Sequence, residues 1–167
     1  MAFVETERLI VRTWMPEDAP AWFAIVSKPA VNRLLPASAC PPDVEGIREW
    51  IERQMEMQER EGFSMWPVLR KSDGALIGLC GFFRAPDGGV EMGWAFDDAA
   101  WGHGYATEAA ASALAVAFGT LGMREMAAFI DARNAASIKL ANRIGMRFDR
   151  VVRTRRRDLL RYTISAG

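Results

Sequence analysis

The segment Ala100–Ala110, AWGHGYATEAA, places Gly102, Gly104 and the small residue Ala106 directly ahead of an alanine-rich stretch of helical character. A strand that ends in such a loop and runs into a helix is an anion site, because the first helical N–H groups lack partners and the helix dipole is positive there. Two phosphate motifs fail on residue identity. A P-loop needs Lys and then Ser or Thr after its last glycine, whereas Gly104 is followed by Tyr105 and Ala106. A dinucleotide fingerprint begun at Gly102 would place Thr107 where the third glycine belongs, and the strands before it form a meander, not a βαβ unit. The lone histidine, His103, lies in the same loop.

Composition narrows what these groups can do. Lys plus Arg and Asp plus Glu both total 21, so the formal net charge is zero and nothing in the balance favours nucleic acid or an anionic membrane. One histidine, two cysteines without CxxC spacing and no carboxylate cluster give no metal site. Cys40 and Cys80 make no disulfide framework, so a cytoplasmic setting is expected. The apolar run Ala109–Phe118 is far short of the roughly 20 residues of a membrane span. The start, MAFVETERL, lacks the basic and apolar regions of a leader, and a soluble chain is expected.

The elements that must carry these groups follow from periodicity. Arg8–Trp14 reads as a strand and Pro16-Glu17-Asp18 as the start of a helix running to about Ser27, after which Pro29 and Pro36 break the chain. From Asp43 to Gly62, Ile47, Trp50, Ile51 and Met55 fall at helical spacing. Phe63–Arg70, Ala75–Arg84 and Val90–Phe96 are separated by Ser72-Asp73-Gly74 and Pro86-Asp87-Gly88-Gly89, which predicts an antiparallel meander. A helix follows from about Tyr105 to Leu121, with Ala109, Ala110, Ala113, Val116 and Ala117 on one face. Met126–Ala132 reads as a buried strand, Ala135–Ile144 as a helix, and Arg147–Val152 and Leu159–Ile164 as closing strands. The length and half-hydrophobic composition suit one domain over 1–167.

The loop resembles the pyrophosphate loop of the GCN5-related N-acetyltransferase (GNAT) superfamily, Q/R-x-x-G-x-G/A, with Trp101 in the first position, Gly104 as the glycine and Ala106 as the small residue. TERLIVRTWMPEDAPAW, GALIGLCGFF and ARNAASIKLANRIGM are similar to other segments of its branch that acetylates ribosomal-protein N-termini, in the same order. The resemblance implies an α/β (α+β) fold: a mixed, mostly antiparallel twisted sheet of about seven strands, about four flanking helices, and a V-shaped opening between strands four and five. It implies acetyl-coenzyme A as co-substrate and no metal. Its phosphates would meet backbone N–H groups of Gly102, His103, Gly104, Ala106 and Thr107, and its pantetheine arm would meet Trp94, Ala95 and Phe96, one N–H pointing at the thioester oxygen. Asn134 would hold the coenzyme or an ordered water, and Ser137 would hydrogen-bond the departing sulfur; both also suit helix capping.

The acceptor implied is an amine, either a protein N-terminus or a small molecule, with a homodimer as one possible assembly. Deprotonating a lysine at pH 7 costs ~4.6 kcal/mol and an α-amino group only ~1.4 kcal/mol, so an N-terminal amine asks less of a base. Glu91, acting through a water, is the first candidate base and Asp131 the second. Phe129 and Ala141 stand where some relatives carry a Glu and a Tyr. Trp22, Trp50, Trp66 and Phe63 could wall an acceptor pocket, although tryptophans in a small domain serve mainly core and partner surfaces. The run Arg153–Arg157 reads as a solvated strand face that could also meet an acidic substrate or a partner subunit. Two other functions fit the same residues: a catalytically weak acyl-coenzyme A binding module, and an interaction protein that keeps only the fold.

Overall fold

A computed structural model describes residues 2–167. It contains eight strands in one sheet, one more than expected: β1 (Ala2–Glu5), β2 (Leu9–Arg12), β3 (Met65–Arg70), β4 (Leu76–Arg84), β5 (Val90–Phe96), β6 (Glu125–Asp131), β7 (Arg147–Arg153) and β8 (Asp158–Ser165). The additional strand, β1, pairs antiparallel with β2 at the sheet edge. The helices are α1 (Ala19–Val26), α2 (Pro29–Asn32), α3 (Val44–Glu61), α4 (Tyr105–Gly119) and α5 (Ala135–Arg143). Helix α1 ends at Val26 with Ser27 as its C-cap, close to the expected limit, and Pro29 opens the short α2 at a first-turn position, where its missing N–H costs nothing.

Local chemistry sets the boundaries. Asp43 caps α3 by accepting the N–H of Gly46 at 2.8 Å, and Gly62 ends it in the left-handed region that a side chain would strain. Strand β3 begins at Met65, not Phe63, because Ser64 turns inward and its carbonyl accepts the N–H of Phe82. A Cβ on Gly81 would come within 2.1 Å of that Ser64 oxygen, so this crossing of backbones requires glycine.

The sheet order is β1-β2-β3-β4-β5-β6-β8-β7. Every neighbouring pair is antiparallel except β5 and β6, which are parallel and joined at a single residue pair, Glu91 with Ala127. Beyond that pair the two strands diverge toward their C-terminal ends, Phe96 and Asp131, and open a V in the sheet.

Side chains of β5 alternate across the sheet. Met92, Trp94 and Phe96 pack with Ala109, Ala110, Ala113 and Ala117 of α4, while Ala95 packs with Trp22, Ile25, Ile47 and Ile51 of α1 and α3. The alanine stripe of α4 lets the helix lie close on the strands. A third cluster, Ala128, Ile130, Ala141, Met146 and Tyr162, fixes α5 to β6 and β8 on the α4 side. Trp22, Trp66 and Phe63 are 1%, 0% and 3% exposed, which makes them core and removes them as pocket walls; Trp50 packs edge-on to Trp14 beside the second cluster.

Candidate active site

A groove of about 570 Å³ runs along the open end of the V. Its walls are the end of β5 (Trp94, Ala95, Phe96), the glycine loop with the first turn of α4 (Gly102, Gly104, Ala106, Thr107) and the first turn of α5 (Asn134, Ser137). Nine of the predicted site residues therefore share one cavity. The two that do not line it are His103 and Glu91. The His103 ring packs on Tyr105, with centroids 5.6 Å apart, and its backbone carbonyl accepts from Arg8.

The loop is built by backbone conformation. Gly102 and Gly104 both have φ of +79°, and Gly104 is the N-cap of α4, so no side-chain cap shields the helix N-terminus. The first N–H groups of α4 consequently face the groove with the positive end of the dipole, the donor set that a pyrophosphate requires. Trp101 adds no cation; its indole N–H donates to the carbonyl of Phe96 at 3.0 Å and ties the loop to the end of β5.

A second fastening was not foreseen. Glu108, in the first turn of α4, accepts from Thr6 Oγ1 at 2.5 Å, from the Arg8 backbone N–H at 2.9 Å and from Arg8 Nε at 2.7 Å. The same guanidinium donates to the carbonyl of His103 at 2.8 Å and lies 4.6 Å from the Tyr105 ring centre. Burial pushes the Glu108 carboxyl up, but the hydrogen bonds from Thr6 and Arg8 outweigh it and hold the group below its usual range. Thr6, Arg8 and Glu108 thus lock the loop from the far side, across about a hundred residues of chain. The residues were visible in TERL and GYATEA; their pairing was not, because it is a tertiary contact.

Ser137 is oriented from two sides. Its N–H donates to the capping Oδ1 of Asn134 at 3.1 Å, and its hydroxyl oxygen accepts from Trp94 Nε1 at 3.1 Å. With the oxygen engaged as acceptor, the hydroxyl keeps a proton to donate, and Ser137 lines the groove. Asn134 spends its side-chain oxygen on the cap, leaving its NH₂ for other partners.

Glu91 stands at the apex of the V, half-buried, on the α1 and α3 side of the sheet with Ala95. Burial, reinforced by Asp87, raises its carboxyl above the ordinary 4.5, the direction that makes a better base. Asp131, the second candidate, is different. It is buried and accepts from Arg133 Nε at 3.0 Å, Arg133 Nη2 at 2.8 Å and Arg157 Nη1 at 3.2 Å. The Arg133 guanidinium foremost, with Arg157, holds it far below the carboxylate range. A carboxylate so stabilised is a poor proton acceptor, which removes Asp131 as a base. Phe129 is half-buried and Ala141 fully buried, so neither offers an acid or base.

The groove also contains residues without a local sequence signal. Val31, Arg33, Leu34 and Leu35, from α2 and the segment after it, close one side; Arg133 and Arg143 line another part. Among the described residues no group of three or more His, Cys, Asp or Glu could hold a metal, and no helix is long and apolar enough to cross a membrane.

An open sheet parted beside a glycine-capped helix, with a groove crossing the gap, defines an architecture shared with known proteins. The family model "Acetyltransferase (GNAT) domain" matches residues 8–147. The chain is 34% identical over 114 residues to the uncharacterised protein YkkB of Bacillus subtilis, a match covering 66% of each chain. It is 26% identical to the uncharacterised N-acetyltransferase p20 of Bacillus licheniformis over 92% of this chain and 86% of that one. The solved structure of RimL, a ribosomal L7/L12 alpha-N-protein acetyltransferase in complex with coenzyme A, superposes with a TM-score of 0.86 at 15% identity over 99% and 98% of the two chains, a likeness of fold. The chain belongs to the GNAT acetyltransferase family. It is accordingly an acetyl-coenzyme A-dependent acetyltransferase.

Proposed function

We propose that the protein moves the acetyl group of acetyl-coenzyme A to a primary amine, a protein N-terminus or a small molecule, by direct attack while both reactants are bound. The observation that carries this reading is the continuity of one groove from the exposed N–H groups of α4 to Ser137 and the end of β5. Bound acetyl-coenzyme A supplies an activated acetyl group and a thiol leaving group.

The chain's own residues then divide the work. Backbone N–H groups of Gly102, His103, Gly104, Ala106 and Thr107 hold the pyrophosphate, and the divergent edge of β5 at Trp94–Phe96 holds the pantetheine arm. A β5 N–H freed by the divergence stabilises negative charge developing on the acyl oxygen. Glu91, through a water, takes the proton that the amine nitrogen loses as the new C–N bond forms. Ser137 donates its hydroxyl proton toward the sulfur as the C–S bond breaks, with Trp94 holding its oxygen in place. Because thiols have pKa about 8.5, a weak donor is enough at that step. Holding the reactants ~3 to 3.5 Å apart supplies much of the remaining acceleration.

The free thiols Cys40 and Cys80, the latter pushed up to about 12 by burial and therefore inert, suit a reducing, cytoplasmic setting. The test is incubation of the purified protein with acetyl-coenzyme A and a panel of amines, following thiol release and the mass of the amine. Stoichiometric thiol release with one acetyl group gained by an amine supports the reading. The second reading, a binding module with little turnover, is favoured by Phe129 and Ala141; tight coenzyme binding without thiol release from any amine would establish it instead.

A further inference from the structure

The charge of the chain is segregated. Residues 143–161 contain eight arginines against two aspartates, a surplus of six positive charges, so the remainder of this formally neutral chain carries a surplus of six negative ones. The basic block is the β7–β8 hairpin with its approach, and its position is set by topology. Strand β8 runs antiparallel to β6, so the turn joining β7 to β8 stands at the same end as Asp131, the open end of the V. Arg157 reaches from that turn to Asp131, and Arg133, which lines the groove, shares the same carboxylate.

The face matters as much as the end. Leu160, Tyr162 and Ile164 pack toward α5, so Leu159, Arg161 and Thr163 are on the opposite face, the side where Glu91 lies. Cross-strand pairing sets Arg150 opposite Arg161 and Arg161 opposite Phe129, one row running from the outer edge to the V. Val152, Leu159 and Asp131 form the next row toward the open end. Strand β7 is exposed along nearly all its length and is the last strand of the sheet. Arg147, Arg155 and Arg156 are exposed and make none of the ion pairs that occupy Arg157 and Arg161, while Arg153, opposite Asp158, is on the other face.

We infer that the acceptor is an acidic polypeptide: its N-terminal amine enters the V beside Glu91, and the acidic residues that follow lie along the arginine face of the β7–β8 hairpin. The inference rests on the N-acetyltransferase reading. Charge complementarity identifies the occupant: a cationic face beside the cleft concentrates an acidic chain and repels a basic one. A polypeptide fits better than a nucleic acid because the outer edge of β7 offers unpaired backbone N–H and C=O groups for a strand, and the apolar Val152, Leu159 and Phe129 lie between the cations. The two arginines bound to Asp131 cancel its charge, and Lys28 pairs with Asp97 and Asp98 just past the end of β5.

The experiment compares two peptides of equal length and identical N-terminal residue, one continuing with Asp and Glu, the other with Asn and Gln. With the full chain and saturating acetyl-coenzyme A, the acidic peptide should have a KM about tenfold lower at low salt, and the advantage should shrink steeply toward ~1 M salt, where screening reaches about 3 Å. Changing Arg155→Gln and Arg156→Gln together should remove most of that advantage, with melting temperature and acetyl-coenzyme A affinity unchanged. Equal KM values for the two peptides, or a preference that survives the double substitution and high salt, would overturn the inference while leaving the transferase reading intact. Acetylation of small amines but of neither peptide would overturn it in the same way, as would an oligonucleotide that binds the arginine face without competing with the acidic peptide. Failure to acetylate any amine would bring down the transferase reading itself, and this inference with it.

Discussion

The two sides of the cleft are built from different materials. On the α4 side the contacts offered to a ligand are backbone N–H groups, posed by two glycines with positive φ and fastened from behind by Trp101, Arg8 and Glu108. On the side of β7 and β8 they are arginine side chains on an exposed edge strand, with few internal partners. A backbone cradle recognises a group common to every donor molecule and tolerates change in the side chains around it. A side-chain face is free to change with the acceptor.

The sharpest way to break this contrast is Gly104→Val. A β-branched residue forced to φ of +79° costs ~1–2 kcal/mol, its Cβ would meet the Arg8 guanidinium at 3.4 Å, and the cradle would shift. The dissociation constant for acetyl-coenzyme A should rise by about 30-fold, the upper end of that cost, measured by calorimetry, with the fold retained by circular dichroism.

Glu91→Gln should lower turnover by about tens of fold near neutral pH and erase the acid limb of the pH–rate profile. The sign is fixed by burial: the carboxyl is held above its ordinary 4.5, so activity rises with pH as it ionises, and only the wild type should show that rise. The same shift makes the wild type relatively stable below about pH 4.5 and less so above its raised value, so the Gln variant should melt higher at pH 7 and lose this advantage at pH 4. Less activity with more stability would mark a functional residue; a profile unchanged from wild type would remove Glu91 as base.

Ser137→Ala should cost about tenfold in kcat with little change in coenzyme affinity, because the hydroxyl acts at the departing sulfur while the Asn134 cap survives on the backbone N–H. The smallest effect is expected at Glu108→Gln, about three- to fivefold in coenzyme dissociation constant, since Gln retains an acceptor for Thr6 but loses the charge that holds Arg8. That effect would show that the cradle depends on its rear fastening.

How much of this was legible in the sequence follows the same division. The loop, α4 and the β3–β5 meander are local patterns of turn glycines and small residues, and they emerge near their expected limits. The Asn134–Ser137 cap is local as well. What could not be read is long-range: Arg8 with Glu108, Trp94 with Ser137, and Arg157 with Asp131; the local Arg133, two residues on, completes the clamp that changed that carboxylate from candidate base to neutralised anchor. Strand β1 escaped because its segment is short and pairs at an edge, and Leu34 and Leu35 because a loop between prolines gives no period that points to a groove. The tryptophans misled for a physical reason: their size suits a pocket wall and a core equally, and only burial separates the two.

The most direct test of the central claim, that the loop at Gly102–Thr107 is a backbone cradle for the pyrophosphate of acetyl-coenzyme A, is calorimetric titration of the purified protein with acetyl-coenzyme A, using ATP and NAD as controls. The account predicts saturable binding of acetyl-coenzyme A in the micromolar range, about −8 kcal/mol, with the controls far weaker. No binding of acetyl-coenzyme A, or equal binding of all three, would contradict it.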